Sequence, residues 1–422
     1  MLLIKRIYMV FGVLICTILH VHSQNIDSPA IALSYPKGKE ILINESLKSL
    51  SAYYNINLAE AELQQTKLWN NPTFVWNADM YNLQKNNYFN FNQQKLIQIE
   101  YIFNVSGKRI QAIRLAKLGI DIAKLAYADV VRGMVLEYSN AYAKLINLST
   151  KAKIYDNAIS KYGTLIQSYQ KQLELGMVSE NDLIRLNSEF TMLKSDATNI
   201  SMEINEIHGE LNSMLNFAKG TIILPTTTVQ LDLNEISYEV AMQAAIDNRP
   251  DFHIAQKHIG YHKQDLKVQK ANRIPDIKLG YQPHDTGSNY VRPYSGMVFE
   301  MGIPLFNRNQ GEISKSKIRI EQSKLDVDYT KNQISNDINS SLFNYKTSKV
   351  NLQRYSDDLI GQVEKLINDA NISFDKKNIS LLQYMDYHQN FIDVKLQYSD
   401  ALYQYQNAVN ELNFTVGKEI TN

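Results

Sequence analysis

The sequence predicts a mixed α and β protein. Four strands would serve a membrane β-barrel shared by several chains, continued by long α-helices in a coiled-coil barrel. Three observations predict this. A strand-like alternation runs straight into a long, charged, helical pattern twice, at residues 98–117 and 295–317. A sustained heptad seam occupies residues 183–214, the pattern for coiled-coil packing. The two halves of the chain also repeat one another at an interval of about 200 residues, which reads as an internal duplication.

Length and composition narrow the classes. The chain has 422 residues and a formal net charge of +1, so bulk electrostatic binding to nucleic acid has no support. Residues 1–23 hold a basic start (Lys5, Arg6), an apolar run and small residues near Ser23, the layout of a secretory signal peptide. The single cysteine, Cys16, lies inside that leader, and the bulky Ile15 before it argues against a lipoprotein site. The mature chain would then form no disulfide and no thiolate metal site. No later stretch reaches the ~18 apolar residues of a spanning helix. Tyrosine is abundant, at 26, and aromatic girdles at membrane surfaces are one home for it.

Taken in order, residues 28–39 suggest an extended leader and residues 42–69 one helix, stopped by Asn70-Asn71-Pro72. Residues 73–83 alternate, with Phe74, Trp76, Ala78 and Met80 on one face. Residues 82–92 are loop-like. A second strand spans about 94–103, with Ile97, Ile99, Tyr101 and Phe103 outward. From Gly107 to Glu174 there is no proline, which predicts a helix on the order of 100 Å long. Gly176 offers a C-cap, and Ser179 caps the returning helix. Its seam is Leu183, Leu186, Phe190, Leu193, Ala197, Ile200, Ile204, Ile207, Leu211 and Met214. Residues 235–273 are helical again, interrupted at Asn248-Arg249-Pro250-Asp251.

The second half repeats the plan. Pro275 answers Pro72, Asn307 answers Gly107, Ser380 answers Ser179 and Phe391 answers Phe190. Strands at 276–283 and 294–303 precede the second pair of long helices. The expected organisation is a leader (1–23), a first repeat (24–220) and a second repeat (221–422) within one integrated domain. Four strands cannot close a barrel, and open edges are not tolerated in lipid, so several chains must pool theirs. The long helices carry many Lys, Asp, Glu and Asn residues and must extend into water.

Seven segments then carry a resemblance. They are Asn70-Asn71-Pro72-Thr73-Phe74, Val105-Ser106-Gly107-Lys108-Arg109, Leu175-Gly176-Met177-Val178-Ser179, Asn248-Arg249-Pro250-Asp251, Arg273-Ile274-Pro275-Asp276-Ile277, Ile303-Pro304-Leu305-Phe306-Asn307 and Asn378-Ile379-Ser380-Leu381-Leu382. In this order the chain resembles the TolC family of outer-membrane efflux channels. The resemblance implies a homotrimer with a twelve-stranded barrel in outer-membrane lipid and a helical tunnel in the periplasm. It also implies two partners, a periplasmic adaptor (membrane fusion) protein and an inner-membrane pump, the latter of the resistance-nodulation-division type. The tunnel would close near the two helix–helix turns. Carried over by motif, one acidic constriction position falls on Asp386. The other falls on Gln383, which departs from the family pattern and predicts a weaker cation ring. Asp182 is the corresponding candidate of the first repeat. The expected adaptor contacts are Leu175, Gly176, Met177, Val178 and Ser179 on one turn and Lys377, Asn378, Ile379 and Ser380 on the other.

Other constellations weigh less. His253, His258 and His262 lie on one predicted helix, the last two at a metal-binding spacing. No carboxylate completes a motif, so a surface or packing role is expected. No phosphate loop, nucleophile elbow or zinc signature occurs, and no cofactor or enzymatic role is expected. The expectation is a passive exit duct for small molecules, drugs or metal cations. The outer channel of a type I protein-secretion system is the alternative within the class. A periplasmic coiled-coil scaffold or adhesin is the alternative outside it.

Overall fold

The structure is a computed structural model describing residues 29–78, 80–82, 86–88, 95–226, 235–285 and 292–420. The expected leader 1–23, with Cys16, lies outside the described residues, as do parts of the 82–92 loop. The elements in order are β1 (Ala30–Leu33), α1 (Tyr35–Glu45), α2 (Leu47–Thr66), β2 (Thr73–Ala78), β3 (Tyr81–Asn82), β4 (Asn87–Tyr88) and β5 (Lys95–Phe103). Then come α3 (Lys108–Glu174), α4 (Glu180–Leu215), β6 (Ile222–Pro225), α5 (Tyr238–Asn248) and α6 (Pro250–Asn272). The chain ends with β7 (Ile277–Asp285), β8 (Tyr294–Met301), α7 (Gln310–Gln353), α8 (Asp357–Asp375) and α9 (Leu381–Val416). Among the described residues no helix is long and apolar enough to cross a membrane.

One antiparallel sheet has the order β2-β5-β7-β8. Residues paired across neighbouring antiparallel strands share a face. Phe74, Ile99, Tyr281 and Met297 therefore form one row, and Tyr101, Leu279 and Phe299 the next. This apolar face is bare: Met297 is 82% exposed, and Phe74, Trp76, Ile99, Tyr281 and Phe299 are exposed too. The opposite face is polar. Gln282 donates to Gln98 at 3.0 Å. Lys278 sits between two carboxylates, 2.6 Å from Glu300 and 3.2 Å from Glu100. Such a sheet suits two solvents, hydrocarbon on one side and water on the other.

Each strand of this sheet is continuous in sequence with a helix, and the helices keep the strand order. α2 packs on α3, α3 on α6 and α6 on α7. In sequence, α2 leads into β2, β5 into α3, α6 into β7 and β8 into α7. The result is a two-storey wall whose β2/α2 side and β8/α7 side are both terminal. Three apolar clusters hold it together. One joins α3 and α4 to β1 and β6 through Tyr138, Leu145, Leu211 and Ile223. Another joins α5, α7 and α9 through Ala245, Ile338, Tyr345, Tyr405 and Leu412. The third lies toward the hairpin tips.

The heptad seam of α4 behaves as its spacing predicts. Leu186, Leu193, Ile200 and Ile207 are buried at seven-residue intervals, with Leu183, Phe190, Ala197 and Ile204 half-buried between them. On α9 the buried face is wider. It includes Met385, His388, Ile392 and Ser399 as well as Tyr384, Ala401, Tyr405 and Leu412, because α9 packs on α3, α7 and α8 together.

Several expectations need correction. The supposed extended leader holds β1 and then turns helical at Tyr35, since Pro36 suits a first helical turn. The helix expected at 42–69 is two helices. Ser46 breaks them at extended dihedrals, and its side chain caps α2 by accepting from Ser49 N–H at 3.1 Å. The strand expected at 73–83 stops at Ala78. Gly107 (φ 70°) and Asn309 (φ 57°) are both left-handed N-caps of a long helix, the second cap falling two residues after Asn307. The second long helix is interrupted between α7 and α8. There Arg354 and Tyr355 N–H fall back on carbonyls three residues earlier, and Ser356 caps the new helix. No glycine or proline marks that break.

Candidate functional site

The two helix–helix turns have the same backbone design. After α3, Gly176 adopts φ 69°; after α8, Lys377 adopts φ 59°. Gly176 N–H bonds to Leu173 O and Met177 N–H to Gln172 O, both at 2.9 Å. Lys377 N–H bonds to Phe374 O at 2.9 Å and Asn378 N–H to Ser373 O at 2.8 Å. These left-handed stops satisfy carbonyls that a helix end leaves unpaired. Each return helix then starts on a serine cap. Ser179 Oγ accepts from Asp182 N–H and donates to the Asp182 carboxylate at 2.8 Å. Ser380 forms a capping box with Gln383: Gln383 N–H reaches Ser380 Oγ at 3.2 Å, and Ser380 N–H reaches Gln383 Oε1 at 2.9 Å.

The expected constriction residues therefore divide by environment. Asp386 is exposed on the first turns of α9 and has no hydrogen-bond or ion-pair partner among the described residues. Gln383, three residues earlier, has its amide oxygen held by the cap. Asp182 is tied to Ser179 in the same way. A free carboxylate can attract cations or accept a partner's donor, whereas a capping side chain is already engaged.

At the expected docking turns, Leu175 and Met177 are exposed, and Gly176, Ser179, Lys377, Asn378 and Ser380 lie at the surface. Val178 and Ile379 are half-buried, and Val178 packs against the apolar cluster beneath the turns. That cluster joins the two hairpins. Tyr162, Ile166 and Tyr169 of α3 meet Leu186 and Leu193 of α4 and Leu381, Met385 and Ile392 of α9. Phe374 stacks on Tyr384 at 4.2 Å and on Tyr169 at 6.5 Å.

His388 lies in this cluster and is not among the residues that sequence reasoning singled out. It is 2% exposed, with Nε2 at 3.2 Å from Asn371 Oδ1 and its ring 4.5 Å from Tyr384 and 6.0 Å from Tyr162. Burial, helped by the Lys161 charge, lowers its pKa to about 4, so it is neutral at physiological pH. The available signal was its position four residues after Tyr384, one turn along the buried face.

Asn248-Arg249-Pro250-Asp251 forms a latch away from the tips. Arg249 is 6% exposed and grips Asp251 with two bonds, at 2.6 and 3.0 Å. It also reaches Asp337 of α7 at 3.1 Å and the Thr415 carbonyl of α9 at 3.3 Å. Burial works to raise the Asp251 pKa, but the Arg249 bonds and the Arg132 charge overcome it and hold the carboxyl below the usual range. Gly417 lies against this latch at φ 80°, and a Cβ there would approach the Asn248 and Arg249 backbone to 3.1 Å. His258 and His262 rings stack at 5.8 Å, and among the described residues no group of three His, Cys, Asp or Glu residues is placed to hold a metal.

Residues 241–418 match the family model described as outer membrane efflux protein. No curated protein matches the sequence. Among solved structures, the chain is similar to the outer membrane protein VceC from Vibrio cholerae, at 12% identity and a TM-score of 0.67, covering 91% of this chain and 96% of that one. It is similar to the CmeC outer membrane channel of Campylobacter jejuni, at 13% identity and a TM-score of 0.67, over 92% and 87% of the two chains. It is also similar to the open state of the MtrE outer membrane channel of Neisseria gonorrhoeae, at 11% identity and a TM-score of 0.71, over 92% and 89%. At such identities the likeness establishes the fold.

Proposed function

We propose that this chain, whose residues 241–418 match the outer membrane efflux protein family model, is the passive outer-membrane duct of a tripartite efflux pump. One observation carries the proposal: the wall ends at the same two sides on both storeys. Above, β2 and β8 are the edge strands; below, α2 and α7 are the edge helices. Both edge helices carry exposed apolar stripes. On α2 these are Leu47, Leu50, Tyr54 and Leu58; on α7 they are Ile318, Leu325, Phe343 and Val350. The α7 residues are spaced by seven and eighteen, which keeps them on one helix face. Unpaired strand edges in lipid and bare apolar stripes in water both need cover. A ring of identical copies, β8/α7 of one against β2/α2 of the next, covers all of them. The family resemblance implies three copies in that ring, twelve strands in all.

In this reading the polar sheet face, with Gln98, Glu100, Lys278 and Gln282, lines the lumen, and the long helices form a periplasmic tunnel. The matching left-handed stops at Gly176 and Lys377, 201 residues apart, support an ancestral duplication of repeats 24–220 and 221–422 behind a leader at 1–23. Asp386 is the constriction residue, in a three-fold ring. The turns at 175–180 and 376–381 dock a periplasmic adaptor. A pump of the resistance-nodulation-division type supplies the energy, and the duct has no catalytic step of its own. Growth of a deletion strain against metal ions, dyes, detergents and antibiotics, with complementation, tests the role. Restored resistance to small molecules supports it. Full resistance, with one secreted protein missing from the medium, would instead identify a type I secretion channel.

A further inference from the structure

Two adjoining clefts sit where the strands give way to helices. They measure about 400 and 680 Å³ and share Arg273, Ile313 and Lys317. Lys270 and Arg308 complete a set of four cations around them, beside Ile274, Pro275 and Pro304. Among the described residues no carboxylate lines either cleft. Nearby Glu312 is engaged by Lys315 at 2.9 Å, and Asp276 by Lys108 at 2.8 Å. None of Lys270, Arg273, Arg308 and Lys317 has an ion-pair partner among the described residues, and all four are exposed. Four like charges gathered without a counter-charge repel one another, and a bound anion would relieve that repulsion.

The neighbouring side chains specify what kind of anion. Ile303 is 72% and Phe306 is 90% exposed, and Leu305 and Ile274 are bare as well. They lie within a few residues of Met301 and Ile277, where the exposed apolar rows of β8 and β7 reach their helix-side end. A cationic cleft beside bare hydrocarbon, at the height where an apolar wall stops, matches a headgroup phosphate with its acyl chains alongside. A soluble anion would use the charges and leave Ile303, Leu305 and Phe306 without cover.

We infer that the cleft between the end of α6 and the start of α7 binds an anionic phospholipid of the periplasmic leaflet. The Arg273 and Lys317 cations hold its phosphate, with Lys270 and Arg308 flanking. This rests on the membrane reading above and deepens it, by fixing the depth of the barrel through a lipid contact at its base. Arginine provides the forked donors that suit a phosphate diester, and Lys317 adds a point charge.

The test is native mass spectrometry of the detergent-purified protein titrated with phosphatidylglycerol, phosphatidylcholine or inorganic phosphate. The parent is expected to retain phosphatidylglycerol at least five-fold over phosphatidylcholine. Arg273→Gln with Lys317→Gln should abolish that preference, while Lys324→Gln, farther along α7, should leave it unchanged. Inorganic phosphate at equal concentration should not displace the lipid. Equal retention of both lipids by the parent, unchanged preference in the double variant, or displacement by phosphate would each overturn the inference. The same spectra count the copies in the particle. Failure of the ring reading therefore shows as a wrong copy number, separately from failure of the lipid site.

Discussion

Gly176 and Lys377 hold the same left-handed backbone position at the two hairpin tips, with φ 69° and 59°. Only one of them is glycine. An L-residue there carries strain of about 1–2 kcal/mol, which glycine avoids. Lys377→Gly should therefore raise the thermal stability of the assembly, by about 1 kcal/mol or less after the entropy of the unfolded chain is counted. Gly176→Ala should lower it by about 1–2 kcal/mol. Thermal unfolding followed by circular dichroism checks both. A Lys377→Gly variant that melts earlier than the parent would contradict this account of the turn.

The Arg249–Asp251 pair ties α6 to α7 and α9. Arg249→Ala leaves Asp251 with Arg132 at 3.7 Å, and Asp251→Asn leaves Arg249 with Asp337 at 3.1 Å, so each should cost less than the about 3–5 kcal/mol of a fully unpaired buried charge. Proteolysis of the purified protein should then expose sites around α5 and α6 that the parent protects. Because the Asp251 pKa is held down in the folded state, its contribution is present above the ordinary carboxylate range and fades as pH falls through the depressed value. Acid sensitivity that the Asp251→Asn variant shares in full would remove Asp251 from the explanation.

His388 gives the tip cluster a titration of the same sign in a higher pH window. Its folded pKa of about 4 lies below the unfolded value, so the unfolded chain binds the proton more readily. Stability should fall as pH drops from about 6.5 toward 4, by up to about 1.4 kcal/mol per pH unit within that window. His388→Phe should flatten this part of the profile. Melting curves of parent and variant at pH 7 and pH 5 make the comparison, and parallel losses in both would show that His388 is not the source.

Asp386 is the free carboxylate of the α9 tip, and Gln383 is its capping neighbour. Asp386→Ala should reduce the preference of the open pore for cations over anions, read as a shift in reversal potential across a planar bilayer. Gln383→Ala should instead loosen the start of α9, by about 0.5–2 kcal/mol, with a smaller effect on ion preference. Identical recordings for Asp386→Ala and the parent would remove Asp386 from the gate.

Much of this plan was legible in the sequence because the periodicities are long. The alternation of Ile97, Ile99, Tyr101 and Phe103 and the seam from Leu183 to Met214 each repeat often enough to assign faces. Caps at Ser179 and Gly176 have strong local chemistry. What escaped was set by tertiary packing. The break between Gln353 and Asp357 has no glycine or proline, only a return to tighter hydrogen bonds and a capping serine. Repeat spacing points to Asn307, while the left-handed cap falls on Asn309, because the cap is set by where α7 starts and not by the offset between halves. His388 was missed because a lone histidine beside a tyrosine-rich seam looks like any solvated helix residue. The capping role of Gln383 was legible in principle, since a serine followed three residues later by glutamine is a capping-box pattern.

In the proposed ring the open sides of one chain are closed by copies of itself in the outer membrane. The most direct measurement is the native mass of the particle extracted from the outer-membrane fraction, before and after heating. Three copies that collapse to one on heating are the predicted result. A single copy or a pair, or recovery from the soluble periplasmic fraction, would contradict it.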